Sequence, residues 1–445
     1  MILRSQWKLR LASIAVVWVI LSSGLSAGSA IDLLSGFDRQ RIENCFPISD
    51  STVAGEMSKL LFRLRKADPQ AIAQRVTEIE IAAPPAVGDV IAVEGKITAI
   101  RQYKVPPALI EFLELETFQE VVLSGTDSDA LISVFAPPLL GKIAKDDLIK
   151  ANAIVVESES SQLVCAAGSL SWFPKHADRV GWQMLSSHGV DLSQIASAVS
   201  RNRHPLEAAD GDAFYSMLAA AREIADGQTF AGAAPPAEPD SVSAIELLQH
   251  PESHHGDWIR MNAVTVRITR INVTDADRRQ QLGQDHYYQI DASGDLGKTI
   301  VELTRPDGDG GEPIRMSGSY PLSLVSCELP DFLQQELAGQ QAVVAMISHP
   351  VSLDGFFYRL WSYSSEFMTR EGGGKQVGPL VVVADWRSRS RPAEAGGGLA
   401  GVGYVLAAAI VATILATFCW SRRNAKRDAQ IRAAQLRSQQ IDLNL

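Results

Sequence analysis

Residues 88–100 read GDVIAVEGKITAI, and residues 256–268 read GDWIRMNAVTVRI. Both open on Gly-Asp and then alternate apolar with polar residues, the period-two pattern of a strand buried on one face. Gly95 inside the first copy predicts a bulge or bend. The phrase returns 168 positions on, and the succession of elements after it returns too. The first copy continues with TFQEVVLS up to Gly125, LISVFAP up to Pro137, a helix-like LLGKIAKDD, then ANAIVVE and QLVCAAGSLSWF. The second continues with HYYQIDASG up to Gly294, TIVELTRP up to Pro306, a helix-like CELPDFLQQELAG, then QQAVVAMIS and GFFYRLWSYSS. Gly88, Asp89, Gly125 and Pro137 thus match Gly256, Asp257, Gly294 and Pro306 as markers of an internal repeat. The stretch DGDGGEPIRMSGSYPLSLVS reads as an insertion into the second copy.

Five strands with a helix between the third and fourth resemble the OB-fold, a small, partly open Greek-key barrel. The resemblance covers residues 81–175 and 248–370. The expected fold class is mainly β with α (α+β): two OB-like five-stranded β-barrels from an internal duplication, with a helical insert between them. Ahead of the first copy, residues 31–80 predict a helical segment, with Met57, Leu60, Leu61 and Leu64 at helical spacing. Residues 176–235 predict the helical insert and a linker. Asp191 caps a helix over Leu192–Ser200, and a second helix near 210–225 shares an apolar face of Phe214, Met217, Leu218 and Ala221. Residues 371–398 read as a lone strand, PLVVVADW, and a flexible tether.

The chain's ends carry membrane patterns. Residues 1–30 combine a basic start (Arg4, Lys8, Arg10), a short apolar run and small residues, the layout of a signal peptide cleaved near Ala27 to Ala30; the alternative is an uncleaved anchor. Residues 399–420 hold no charge, which predicts one transmembrane helix. Trp420 stands at its interfacial end, and Arg422, Arg423, Lys426 and Arg427 mark the cytoplasmic side. Residues 421–445 form a basic tail. The expected location is therefore the cell membrane, single-pass, with residues 31 to about 395 extracytoplasmic and the membrane itself as a partner. In this architecture the chain resembles uncharacterised bacterial single-pass membrane proteins with tandem OB-like ectodomains.

The whole chain carries a formal charge of −10. Residues 81–175 hold 12 acidic and 7 basic side chains, and residues 248–370 hold 16 and 10. Nucleic-acid binders need a basic groove, so the expectation is no nucleic acid. Cys45, Cys165 and Cys327 lie outside the apolar run that holds Cys419; one bridge among the three is open, and no CxxC is present.

No GxSxG elbow, Walker loop, HExxH or dinucleotide fingerprint occurs, so no catalytic, cofactor or metal residue is assigned and the chain is read as no enzyme. His250, His254, His255 and Asp257 sit together in HPESHHGD; the readings are a two-histidine zinc face or a polar loop. Asp307–Glu312 departs from the calcium-loop pattern and reads as a turn. Asn272 opens a glycosylation sequon. Tyr287, Tyr288, Phe356, Phe357, Tyr358, Trp361 and Tyr363 make the second copy aromatic-rich, as barrel filling or as a ligand platform. The expected function is a non-catalytic interaction or scaffold module of the envelope with a protein partner. The alternative is a small-molecule or glycan binder, or an enzyme, using that platform.

Overall fold

The apolar spacing in residues 51–66 forms a helix in a computed structural model of the chain, which describes residues 29–76, 85–125, 131–159, 162–227, 238–303, 313–337, 344–370 and 374–389. The helical segment holds α1 (Arg39–Glu43), α2 (Ser51–Lys66) and α3 (Pro69–Ala73). Asp50 caps α2 by accepting from the Thr52 and Val53 amides, and Arg63, Arg65 and Lys66 favour its carbonyl end. The described chain starts inside the fold: the Ala30 amide donates to the Gly88 carbonyl at 3.0 Å, and Ala30 is fully buried.

The first sheet comprises β1 (Val90–Lys104), β2 (Thr117–Gly125), β3 (Leu131–Ala136), β4 (Leu148–Glu159), β5 (Gln162–Ala166) and β6 (Ser171–Phe173), with α4 (Pro107–Leu113) between β1 and β2. Next come α5 (Val180–Ser187), α6 (Leu192–Ala198) and α7 (Gly211–Ala225), then β7 (Asp240–Ser241), α8 (Ala244–Gln249) and α9 (Pro251–His254). The second sheet holds β8 (Trp258–Asn272), β9 (His286–Leu303), β10 (Ile314–Ser326), β11 (Val344–Met346), β12 (Pro350–Tyr363) and β13 (Gln376–Ser388), and the short β7 pairs with β8. Helices α10 (Ala276–Leu282), α11 (Asp331–Leu337) and α12 (Glu366–Arg370) lie between its strands. The fold is mixed α+β with two sheets.

Both sheets pair in the same closed circuit. In the first, β1 pairs with β2 and β4, β2 with β3, β3 with β5 in parallel, and β5 with β4. In the second, β8 pairs with β9 and β12, β9 with β10, β10 with β13 in parallel, and β13 with β12. The correspondence reaches single bonds. The Gly88 amide donates to Val155 and Val155 donates back to Asp89; the Gly256 amide donates to Phe357 and Phe357 donates back to Asp257. Gly88 and Gly256 hold φ of +93° and +72°, backbone that favours glycine. Bulges fall at Ile97/Ala99 and Thr265/Arg267 on the first strands, and at Val155/Glu157 and Phe357/Arg359 on the fourth.

Several expected elements shift. The second copy's expected second and third strands are one strand, β9: Gly294 pairs with Tyr320 in mid-strand instead of turning. The true third strand, β10, lies in the stretch read as an insertion, which is the returning arm of a long hairpin. Pro306, expected to match Pro137, lies outside the described residues. The fourth strand is β12, and PLVVVADW is no lone strand but the fifth strand, β13. The expected helix at 139–147 is irregular chain, entered through Pro137 and Pro138, with Gly141 and Asp146 at positive φ. Helices α4 and α10 were not expected.

Three cores divide the strand faces. In the first sheet, Val134, Ala153, Val155 and Cys165 face one core, while Phe135, Ile154, Val156 and Val164 face another beneath α2. In the second, Leu324, Phe357, Val381 and Val383 face their own core. On the opposite face Val325, Phe356, Tyr358 and Val382 join α5, α6, α7 and the first sheet's Val134 face in one continuous core. Burial on both faces explains the unbroken apolar runs in β4, β12 and β13.

Among the described residues no helix is long and apolar enough to cross a membrane. The membrane span and membrane partner expected from the sequence are corrected accordingly: no described helix supplies them. The span's own residues 399–420 and its markers Trp420, Arg422, Arg423, Lys426 and Arg427 lie outside the described residues, as do residues 1–28 of the expected signal peptide.

Candidate binding cleft

The residues singled out from the sequence are dispersed. Phe356, Phe357 and Tyr358 are fully buried. Phe357 faces the second sheet's own core, whereas Phe356 packs 4.9 Å from Trp258 on the opposite face. Tyr287 meets Phe214 of α7 edge-on at 5.5 Å, and Trp361 stacks on Tyr363 at 4.7 Å. These rings fill both sides of a sheet and share no platform.

The histidine cluster is also divided. His254 contacts Asp257 at 3.2 Å and Glu246 at 3.5 Å. His255 is buried and bonds Asn202 at 3.2 Å; burial pulls its pKa down to about 4, so it is neutral at pH 7. Burial raises Asp257 despite the neighbouring Arg179. Among the described residues no group of three or more His, Cys, Asp or Glu could hold a metal ion. Asp307–Glu312 lie outside the described residues. Cys45, Cys165 and Cys327 are buried free thiols. Burial pushes Cys45 and Cys327 up to about 12.

A buried polar network that the sequence did not signal joins the helices to β12. Arg359, fully buried, donates to the Asp210 carboxylate at 2.8 Å and to the carbonyls of Arg201, His204, Pro205 and Leu360. Asp210 also accepts from Tyr358 at 2.8 Å, Arg201 at 2.9 Å and the Glu207 amide at 3.0 Å. Every partner is internal, so this is a joint rather than a ligand site.

A cleft open to a ligand lies where the first sheet meets α5. It has a volume of about 330 Å³ and is lined by Gly141, Lys142, Trp172, His176, Ala177, Asp178, Arg179 and Trp182. Trp172, from β6, forms the floor; only 2% of it is exposed. Gly141, at φ +140°, lies against its ring. Trp182, half-buried on α5, forms the wall edge-on to Trp172 at 5.9 Å. Both indole N–H groups point into the protein. Trp172 donates to Asp147 at 2.9 Å, and Trp182 donates to the His255 carbonyl at 2.6 Å. Asp147 is held in turn by the Ala144 and Lys175 amides. At the rim Lys142 pairs with Asp178 at 2.5 Å. Arg179 lies 5.4 Å above the Trp182 ring and pairs with Asp257 at 3.3 Å. The cleft therefore offers carbon surface from its rings and matched donors and acceptors from its rim. The stretch SWFPKHADRVGW, residues 171–182, was its signal: two tryptophans bracketing a charged run, which strand reading absorbed.

No protein-family model matches the sequence, and no curated protein does. Among solved structures the chain is similar to fission yeast Pot1 with ssDNA, at 9% identity over 68% of this chain and 84% of that one, with a TM-score of 0.15. A likeness of that size carries no argument about this chain's function. The ssDNA belongs to that structure; the expectation of no nucleic acid rested on charge alone and is not carried further.

Proposed function

We propose that the chain is a non-catalytic binding and scaffold protein built on two OB-like barrels from an internal duplication. The observation that carries this reading is the shared pairing circuit, in which the first strand pairs with the second and the fourth and the third runs parallel to the fifth. That order is the one an OB-like barrel needs. The continuous core from the first sheet through α5, α6 and α7 to the second supports rigid presentation of a surface. The pattern of residues 1–30 supports an extracytoplasmic site of action. The tryptophan cleft is the surface assigned to recognition, since small-molecule sites run from about 300 Å³ upward with a few placed polar groups.

The test is site-specific photocrosslinking in intact cells, with the crosslinker at position 176 on the cleft rim or at position 104 at the far end of β1. One reproducible partner captured from 176 and not from 104 supports the reading. Equal background from both positions overturns it.

A further inference from the structure

The cleft's chemistry goes further than binding in general. We infer that it takes a pyranose ring, a polyhydroxylated sugar with one apolar C–H face; this rests on the binding reading above. Three observations converge. First, both indole N–H groups are bonded away from the cleft, to Asp147 and to the His255 carbonyl, so the half-buried Trp182 ring, over the small exposed part of the buried Trp172, presents carbon. The negative face of an indole attracts the slightly positive C–H face of a sugar ring. Second, the rim charges come as pairs, Lys142 with Asp178 and Arg179 with Asp257. A hydroxyl both donates and accepts, so it can bridge each pair without separating net charge. A polyanion would find each of these cations already matched, and a purely apolar ligand would leave them unserved. Third, both walls are held from behind, so little ordering cost falls on the ligand.

The internal repeat separates this cleft from what the fold requires. The second sheet fills the link between its third and fourth strands with α11, whose Leu333 is buried in that sheet's core. The first sheet has no helix in that link; Trp172, on β6 after the fifth strand, is buried in the core beside the link, with Gly141 against its ring. The cleft opens beside Trp172, between the irregular 139–147 link and α5. The corresponding link is helical in the sister copy, so the irregular link beside the cleft is not a demand of the pairing circuit.

The experiment is saturation-transfer NMR on the purified full-length chain, using methyl β-glucopyranoside and methyl β-N-acetylglucosaminide as probes. Cyclohexanol and benzoate serve as apolar and anionic aromatic controls. Transfer should reach the axial ring protons of a pyranoside, and Lys142→Ala and Asp178→Ala should each weaken binding about tenfold, the loss of one charge-assisted hydrogen bond. Both side chains are largely exposed, so the variants keep the fold. No transfer to either pyranoside, transfer untouched by both variants, or preference for a control overturns the assignment. If the pyranosides fail while position 176 still captures a partner, the ligand class falls and the binding reading stands; if both fail, both fall.

Discussion

Replacing Asp210 by Asn removes a charge from the network between the helices and β12 while keeping its shape. Asp210 is 2% exposed and Arg359 0%. Removing one partner of a buried ion pair costs about 3–5 kcal/mol, because the other charge is left uncompensated. Arg359 keeps four carbonyl acceptors, so the lower figure applies, about 3 kcal/mol. At about 2 °C per kcal/mol for a body of this size, Asp210→Asn should lower Tm by about 6 °C at pH 7, followed by near-ultraviolet circular dichroism. Arg359→Met should cost as much or more. The double variant should cost less than the sum, since it leaves no orphan charge. The gap between wild type and Asp210→Asn also depends on pH. Burial opposes ionisation of Asp210, but the Glu207 amide, Tyr358, Arg359 and Arg201 outweigh it and hold its pKa below the usual carboxylate value. A lowered folded pKa gives stability that is complete above the unfolded value, about 3.9, and is lost as pH falls from there through the folded value. The gap should therefore close below about pH 4. A Tm within about 1 °C of wild type at pH 7, or additive single variants, would refute the reasoning.

His255 carries a second pH signature. Its folded pKa of about 4 lies below the ordinary 6.5, so the unfolded chain binds the extra proton in that window and stability rises with pH between the two values. The loss at the acid end is at most about 3 kcal/mol, and urea midpoints should flatten in that window for His255→Leu. Arg65 and Arg222 each donate from a covering helix to the last carbonyl of a strand-linking helix, Leu113 and Leu282. Arg65→Ala and Arg222→Ala should lose similar stability, about 1–2 kcal/mol each in urea titrations, and a loss confined to one would break the equivalence. Native maleimide labelling should spare Cys45, Cys165 and Cys327, and labelling of any of them before unfolding would contradict their burial.

The sequence carried the first strands well because β1 and β8 each bury one face, and a half-buried strand writes its own period. It misled where both faces are buried. β12 and β13 read as unbroken apolar runs, so the boundary between fourth and fifth strands slid by one element. Gly294 looked like a turn because Gly125 ends β2, yet in β9 it sits in mid-strand, where an added Cβ would press on Leu322 and Ala244. Helices α4 and α10 were missed because each is only seven residues and buries a single leucine, Leu113 or Leu282. The candidate cleft was the least legible part. Its walls come from residues whose roles depend on distant acceptors, Asp147 and the His255 carbonyl, and no local pattern encodes those.

The likeness between the two units extends beyond the sheets. Helix α2 covers the outer face of the first circuit with Met57, Leu60, Leu61 and Leu64. Helix α7 covers the corresponding face of the second with Met217, Ala220 and Ala221. Each covering helix ties its strand-linking helix by one arginine, and those linking helices end alike in left-handed residues, Glu114 and Gly283. Each unit thus sets a covering helix ahead of a pairing circuit, and α7, within the segment between the sheets, covers the second. This changes how the differences between the copies are weighed. The features both units keep, the Gly-Asp bond pair, the bulges and the arginine ties, are those a unit needs to close. The units also depart from one another, among other places in the long β9–β10 hairpin and in the link that is α11 in the second and irregular chain beside Trp172 in the first. Of these, the irregular link beside Trp172 is the one that lies at a cleft with ring surface and paired charges.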